Sequence, residues 1–162
     1  MQCISFPPII GKMPKILILG SMPGRKSLDE TQYYAHPQNL FWPIIEHTFG
    51  CPFTNSYGSR IECLLKNNIA LWDVIGSCHR EGSLDSAITN AQPNPIFQLV
   101  KDNPTIHTIA LNGKTAAKVF HKEFPNWDCT KIHVLPSTSP ANASIPRNEK
   151  IKQWQKALNL AV

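Results

Sequence analysis

Short apolar runs alternate along the chain with stretches in which apolar residues recur at helical spacing. Four runs have the length and composition of strands buried on both faces of a parallel sheet, and they lie at 15–19, 69–72, 106–111 and 131–135. Helices are predicted at 40–49, 58–68, 95–102 and 114–122, with a last one beginning at Pro146. This alternation predicts an α/β fold, a three-layer sandwich whose central four-stranded parallel sheet is flanked by helices.

Three features of this pattern matter for the site. Ligands of open α/β sheets bind beyond the carboxyl ends of the strands, which selects the segments after Leu19, Trp72, Leu111 and Leu135. The polar stretch at 20–38 is long for a connection in a compact domain, and such loops are usually functional. The last helix has one apolar stripe, and three of its lysines are expected outside that stripe: Lys150, Lys152 and Lys156.

Composition bounds the class of protein. The chain has 162 residues, of which 42% are hydrophobic and 17% charged, as is typical of a globular protein with one core. We expect a single domain over 1–162, with residues 1–13 as a loose arm. No apolar run approaches the ~18–20 residues of a spanning helix, so no membrane partner is expected. The first residues do not resemble a signal peptide, and we expect a cytoplasmic monomer.

Charge and cysteine content narrow the function further. The chain has 16 Lys and Arg residues against 11 Asp and Glu residues, and the resulting net charge of +5 favours a polyanionic partner without requiring one. The five cysteines form no C-x-x-C pair, which indicates neither a disulfide framework nor a zinc or iron–sulfur site. We therefore expect buried thiols in a reducing compartment and no metal.

The segment after the first strand, Gly20-Ser-Met-Pro-Gly-Arg-Lys-Ser27, invites comparison with a phosphate-binding loop, with Asp73 as a magnesium ligand. The spacing argues against this interpretation, because the gap between the two glycines is one residue short and Arg25 precedes the lysine. Pro23 also lacks the amide hydrogen that such a loop would direct at a phosphate. A nucleotide-phosphate enzyme is therefore the least favoured alternative.

Residues 32–42 combine aromatic and amide side chains just before a helix. Phe41 and Trp42 are expected in the core. Tyr34 and Asn39 allow two interpretations. They can be loop packing and the cap of the following helix, or an aromatic plate and an amide that hold a planar base near a bound water. Their place at the mouth of the sheet favours the second interpretation.

The segment Leu135-Pro-Ser-Thr-Ser-Pro-Ala-Asn142 leaves the fourth strand as a run of small residues stiffened by two prolines. By composition alone, an ordinary connector and a DNA-binding loop are equally favoured. A protein that extrudes a nucleotide from a duplex must fill the gap and hold the backbone, and a rigid loop with hydroxyl and amide donors suits that task.

Five motifs follow one another in the chain: Gly20-Ser-Met-Pro-Gly24, Ala35-His-Pro-x-Asn-x-Phe-Trp42, Ala70-Leu-Trp-Asp-Val74 with Gly82-Ser-Leu-Asp85, Asn112-Gly-Lys-Thr115 and Leu135-Pro-Ser-Thr-Ser-Pro-Ala-Asn142. Together they resemble the uracil-DNA glycosylase superfamily, and within it the hypoxanthine-DNA glycosylases, over the chain from Pro14 to the final helix. The resemblance implies the same four-stranded parallel sheet, damaged DNA as the partner, and action without metal or cofactor.

The chain departs from the wider superfamily at two motif positions. Met22 stands where relatives place an aspartate or asparagine that aligns the attacking water, and a thioether cannot do this. In the resembling subfamily the task falls to the asparagine that is Asn39 here. Leu135 stands where many relatives have histidine or asparagine, and Asn112 is the candidate replacement, because an amide can match the O6 and N1–H edge of hypoxanthine.

The resemblance therefore implies a role for each candidate residue. Asn39 is the catalytic residue that holds water, and Tyr34 is the aromatic on which the extruded base stacks. The base is bound further by Asn112 and the backbone amides of Ser21, Met22 and Gly24. DNA phosphates are bound by Arg25, Lys26, Ser137, Thr138, Ser139, Pro140, Ala141 and Asn142.

These roles predict a base-excision repair glycosylase that hydrolyses the N-glycosidic bond of deoxyinosine and releases hypoxanthine after base flipping. Two alternatives stay open at this point. The same scaffold could act on uracil, xanthine or another deaminated base. It could also recognise lesions without cutting them, since the carboxylate of the first motif is missing at Met22.

Overall fold

The computed structural model describes residues 1–52 and 54–161. Within these ranges the strands are β1 (Gln2–Ile4), β2 (Ile16–Gly20), β3 (Ile69–Asp73), β4 (Ile75–His79), β5 (Thr89–Pro93), β6 (Thr108–Asn112) and β7 (Lys131–Leu135). The α-helices are α1 (Arg25–Glu30), α2 (Phe41–Phe49), α3 (Tyr57–Lys66), α4 (Ile96–Asp102), α5 (Lys114–Glu123) and α6 (Arg147–Ala161). None of the described helices is both long and apolar enough to span a membrane.

The main sheet has the order β3-β2-β6-β7 and all its strands are parallel. Side chains alternate across it, so that Ile16 and Ile18 of β2 pack with α2, α3 and α6, whereas Leu17 and Leu19 pack with α4 and α5. Helices therefore cover both faces, which explains why the strands read as continuous apolar runs. The predicted four-stranded parallel sheet flanked by helices is confirmed.

A second, antiparallel sheet of order β1-β4-β5 extends the fold. The sequence gives little indication of β4 and β5, because their residues are mostly small or polar. The prediction of a loose arm at 1–13 is wrong. Cys3 of β1 is buried against β4, and Ile9 forms a bridge with Leu71 of β3. These backbone pairings hold the first residues on the domain.

The cysteine prediction needs a correction. Cys51 and Cys63 form a disulfide between the end of α2 and the body of α3, although the sequence indicated thiols only. A separation of 12 residues matches no framework motif, and only the packing of α2 against α3 brings the two together. Cys3 and Cys78 are buried free thiols, whereas Cys129 is free and exposed.

The prediction that Lys150 lies outside the apolar stripe of the last helix is also wrong. Lys150 is only 4% exposed instead of lying outside the packed stripe of α6. Its ammonium group donates to the backbone carbonyls of Asn142 and Ser139. Burial lowers the pKa of Lys150, and the two carbonyls are the polar partners that a buried ammonium requires.

Reduction of the Cys51–Cys63 disulfide is expected to lower the free energy of unfolding by about 2–4 kcal/mol, because the bridge restricts the unfolded chain. Urea unfolding with and without a thiol reductant measures the effect, and a variant carrying both Cys51→Ser and Cys63→Ser should match the reduced protein. Cys129→Ser serves as the control, since Cys129 is exposed and free. Identical stabilities of the oxidised and reduced protein would contradict the prediction.

Candidate active site

A cavity of about 430 Å³ opens at the carboxyl ends of the main sheet. The ends of β2, β3 and β6 contribute Gly20, Asp73 and Asn112 to its lining. Every residue predicted from the sequence lines this one cavity: Ser21, Met22, Gly24, Arg25, Lys26, Tyr34, Asn39, Asn112, Ser137, Thr138, Ser139, Pro140, Ala141 and Asn142. Parallel strands end at the same edge of a sheet, which is why segments distant in sequence converge here.

The segment 20–24 lines the cavity and contains backbone N–H groups without an acceptor among the described residues. In the described part of the chain, the N–H groups of Ser21, Met22 and Gly24 donate to no residue. The side chain of Met22 packs with Ile75 and Cys78 and is 7% exposed, so Met22 can serve a ligand only through its backbone. Unpaired N–H groups that converge on one space can stabilise negative charge there.

Three hydrogen bonds fix this segment to residues 80–85. The hydroxyl of Ser21 donates to Asp85 at 3.0 Å, and the backbone N–H of Arg25 donates to Ser83 at 2.8 Å. Arg80 is 3% exposed and donates to the carbonyl of Pro23, while its Nε and Nη1 have no described partner. A buried guanidinium thus lies directly behind the loop that offers the free amides.

Tyr34 forms one wall of the cavity. Its ring stacks on Phe41 with centroids 4.1 Å apart and an angle of 20°, so that one ring face is covered. The other face is the one that a planar ligand could use. The residue has φ 53°, a conformation uncommon for a bulky side chain, which indicates that the surrounding contacts hold it in place. Burial raises the pKa of Tyr34, and its hydroxyl stays protonated.

Asn39 is half-buried on the side of the same cavity. Its side-chain oxygen accepts a hydrogen bond at 2.9 Å from the N–H of Phe41, the first residue of α2. The side chain therefore does stabilise the start of the helix, from the position before the capping residue Leu40. Its Nδ2 donates to no described residue, and its oxygen retains a second lone pair.

Asn112 is a buried junction between three segments. Its Nδ2 donates to the hydroxyl of Tyr34 at 3.1 Å and to the hydroxyl of Thr138 at 3.0 Å. Its Oδ1 accepts from the backbone N–H of Thr138 at 3.0 Å. Both amide hydrogens are therefore used within the protein, and one lone pair of Oδ1 is what Asn112 can still offer to a ligand.

The loop at 137–142 is held by hydrogen bonds from the segment before α2, from the end of β6 and from α6. Thr138 is 1% exposed, and its carbonyl accepts from the N–H of Leu40 at 3.0 Å. Its hydroxyl faces Asn112, so that hydroxyl is not at the rim where a phosphate would lie. Lys150 supports the same loop from α6. The hydroxyls nearer the rim are those of Ser137 and Ser139, which are half-buried.

Sequence reasoning missed four contributors to this region: Asp73 in the cavity wall, Lys114 at its rim, and Arg80 and Lys150 beneath its loops. Asp73 is the most unusual, since it is 3% exposed and its Oδ2 has no described hydrogen-bond partner. Burial raises the pKa of Asp73 to about 7; the charge of Asp85 adds to this effect and that of Arg80 opposes it. From the sequence, the side chain of Asp73 was assigned only a possible role as a magnesium ligand.

Gly20 makes the close packing of this floor possible. A Cβ at this position would lie 2.6 Å from Oδ1 of Asp73 and 2.7 Å from the hydroxyl oxygen of Tyr34. Any other residue would push one of these groups away. Among residues 1–52 and 54–161, no three His, Cys, Asp or Glu side chains are grouped so that they could share a metal ion.

Comparison with known proteins agrees with this geometry. A protein of Methanosarcina acetivorans named hypoxanthine DNA glycosylase is 33% identical over 151 residues, which are 93% of this chain and 94% of the relative. A Methanosarcina barkeri protein of the same name is 39% identical over 120 residues, or 73% of this chain and 75% of the relative.

A solution NMR structure of a uracil DNA glycosylase candidate from Methanosarcina acetivorans is similar with a TM-score of 0.84 and 31% identity, and the match covers 99% of both chains. A family model described as the uracil DNA glycosylase superfamily matches residues 7–161. The resemblance drawn from the motifs is thereby confirmed: the chain belongs to the uracil DNA glycosylase superfamily.

Proposed function

We propose that the protein is a base-excision DNA glycosylase that hydrolyses the N-glycosidic bond of deoxyinosine and releases hypoxanthine. One observation carries the proposal: the aromatic ring of Tyr34, held by stacking on Phe41, and the amide of Asn39 line the same cavity at the sheet's carboxyl edge. The names of the two Methanosarcina relatives support hypoxanthine as the base.

The reaction needs stabilisation of two developing charges. Breaking the bond between C1′ and N9 leaves positive charge on the sugar and negative charge on the purine. The unpaired N–H groups of Ser21, Met22 and Gly24 can stabilise the negative charge, and the buried Arg80, which donates to the carbonyl of Pro23, adds to the favourable field. The DNA phosphates beside the lesion offset the charge on the sugar.

Asn39 has the task of holding the attacking water. An amide is no general base, so its contribution is orientation. The second lone pair of its oxygen can accept a hydrogen bond from water and leave the water's own lone pair directed at C1′. The hydrogen bond from the N–H of Phe41 fixes the orientation of the Asn39 amide, and the amide in turn orients the water.

Asn112 supports recognition of the base in two ways. Its remaining Oδ1 lone pair can accept the N1–H of hypoxanthine, a hydrogen that adenine lacks. Its amide hydrogens hold Tyr34 and the 137–142 loop in place. The flipped base is thus bound between a fixed aromatic face and a fixed acceptor, and the weak pairing of the lesion in duplex DNA lowers the cost of extrusion.

The direct test uses three DNA duplexes that carry deoxyinosine, uracil or deoxyxanthosine. After incubation with the protein, alkali converts each abasic site into a strand break. Breaks in the deoxyinosine duplex are expected, and breaks only with uracil or xanthine would move the proposal to another deaminated base. Tight binding without breaks in any duplex would instead indicate a module that recognises lesions without cutting.

Asn39→Ala is expected to slow base release by about 100-fold or more, because water is no longer oriented toward C1′. Single-turnover release of hypoxanthine from a deoxyinosine duplex is the measurement. Asn39→Asp keeps an oxygen for the N–H of Phe41, so comparing the melting temperatures of the two variants separates loss of the helix contact from loss of chemistry. Gln38→Ala, an exposed neighbour outside the cavity, is the matched control. Undiminished cleavage by folded Asn39→Ala would refute this role.

Asn112→Ala is expected to reduce hypoxanthine release more than duplex affinity, since the amide acts on the extruded base and not on the phosphates. Thr138→Val is the comparison, because it removes one hydroxyl partner of Asn112 and leaves the amide in place. Release rate and dissociation constant are measured for both variants. If Asn112→Ala lost rate and affinity equally, and Thr138→Val matched it, Asn112 would be a structural link only.

Arg25→Ala is expected to weaken duplex binding by a similar factor for all sequences and to reduce the slope of log affinity against log salt by about one, as loss of one phosphate contact does. Arg25 is exposed at the cavity rim, at the start of α1. Lys101→Ala on α4 is the control, because Lys101 is exposed but lies outside the cavity. Binding titrations at several salt concentrations measure this slope. An unchanged slope in Arg25→Ala would exclude a contact between Arg25 and a DNA phosphate.

A further inference from the structure

The carboxyl group of Asp73 has no structural use that the fold reveals. Asp73 is the last residue of β3 and lies beside Gly20 of β2 in the parallel register. Its backbone carbonyl accepts from Asn94, but neither oxygen of its side chain is hydrogen-bonded to a described residue. It lines the cavity although it is 3% exposed. Buried carboxyl groups are normally paired, so an unpaired one facing a ligand cavity points to a function.

On the basis of the proposed function, we propose that Asp73 is the general acid of the reaction and that it protonates N7 of the departing purine. Asp73 would thereby be a second catalytic residue beside Asn39. The two have separate tasks, since Asn39 acts on the water and Asp73 acts on the leaving group.

The order of the strands supports N7 as the atom that receives the proton. In the order β3-β2-β6, Asp73 and Asn112 end the two strands on either side of Gly20. Hypoxanthine presents N1–H, O6 and N7 in that order along one edge. A base whose N1–H meets Asn112 therefore turns N7 toward Asp73, on the other side of Gly20. The absence of a side chain at Gly20 leaves room for Oδ1 of Asp73, which would lie 2.6 Å from a Cβ at this position.

The charged and titratable groups around Asp73 come from two segments. Asp85 and Arg80 face it from the segment after β4, and Tyr33 and Tyr34 face it from the segment before α2. The pKa of Asp73 is raised to about 7, because desolvation and the charge of Asp85 raise it more than the charge of Arg80 lowers it. The two tyrosines remain neutral because burial raises their pKa. A carboxyl group with this pKa carries its proton in a large fraction of molecules at neutral pH, as a general acid must.

The proton and the electrons balance over one turnover. As the bond between C1′ and N9 breaks, its electron pair stays on N9 and the carboxyl proton of Asp73 moves to N7. Hypoxanthine then leaves as the neutral N7–H tautomer instead of an anion. Water held by Asn39 forms the new bond to C1′, and the proton that this water releases to solvent restores the acid form of Asp73.

The test is the pH dependence of single-turnover hypoxanthine release between pH 5.5 and pH 9, values chosen to bracket the pKa of Asp73 near 7. The unmodified protein should show a constant rate below about pH 7 and a tenfold fall for each pH unit above it, because only the protonated acid works. Asp73→Asn should be slower by about 10²–10⁴-fold at low pH and should show no such fall. Spontaneous base loss from the duplex without protein is subtracted at each pH.

Asp85→Asn distinguishes an acid from a structural residue. It removes the negative charge that disfavours ionisation of Asp73, so the pKa of Asp73 falls and the decline in rate should begin at a lower pH. Asp102→Asn, an exposed aspartate on α4, should leave rate and profile unchanged. Melting temperatures of all variants show whether they fold. If Asp73→Asn does not fold, the pH profile of Asp85→Asn still tests the role of Asp73.

The outcomes separate this inference from the proposed function. If the unmodified protein releases no hypoxanthine at any pH, the proposed function fails. If it releases hypoxanthine but Asp73→Asn retains the rate or the same pH-dependent fall, only the role of Asp73 fails. An unshifted profile in Asp85→Asn would likewise overturn the assignment of the titration to Asp73.

Discussion

The candidate site depends on one buried side-chain amide. Asn112, at the end of β6, is hydrogen-bonded to the hydroxyl of Tyr34 in the segment before α2. It is also hydrogen-bonded to Thr138 in the loop after β7. These bonds link three segments that are distant in sequence, and the hydrogen bond from the N–H of Leu40 to the carbonyl of Thr138 adds to them. A loop can position a ligand only when its own conformation is fixed, and here it is fixed to the last residue of a buried strand of the main sheet.

Around this junction, the protein buries charge in a way that suits reaction on a base. Asp73 lines the cavity, and Arg80 lies behind the loop that presents free N–H groups. Both are nearly inaccessible to water, so their fields act at low dielectric and are little weakened by solvent.

The prediction from sequence succeeded where local pattern suffices and failed where burial is decided by distant neighbours. All fourteen predicted site residues line one cavity, and all but Tyr34 and Asn39 lie at or shortly after a strand end that the apolar runs located. Thr138 and Lys150 show the limit: a hydroxyl expected at the rim is buried, and a lysine expected in solvent supports the loop beneath it. Helical spacing cannot show that a neighbouring loop covers one side of α6.

The fold class, the positions of the parallel strands and the family can be predicted from the amino-acid sequence, because side-chain periodicity and motif order are properties of the chain. The three-dimensional packing was needed to show that Asp73 is desolvated, that both amide hydrogens of Asn112 are already used, that Cys51 meets Cys63, and that the first residues form β1. The physical reason is common to these cases. Desolvation, hydrogen-bond saturation and strand pairing depend on groups brought together across the fold, and no local pattern records them.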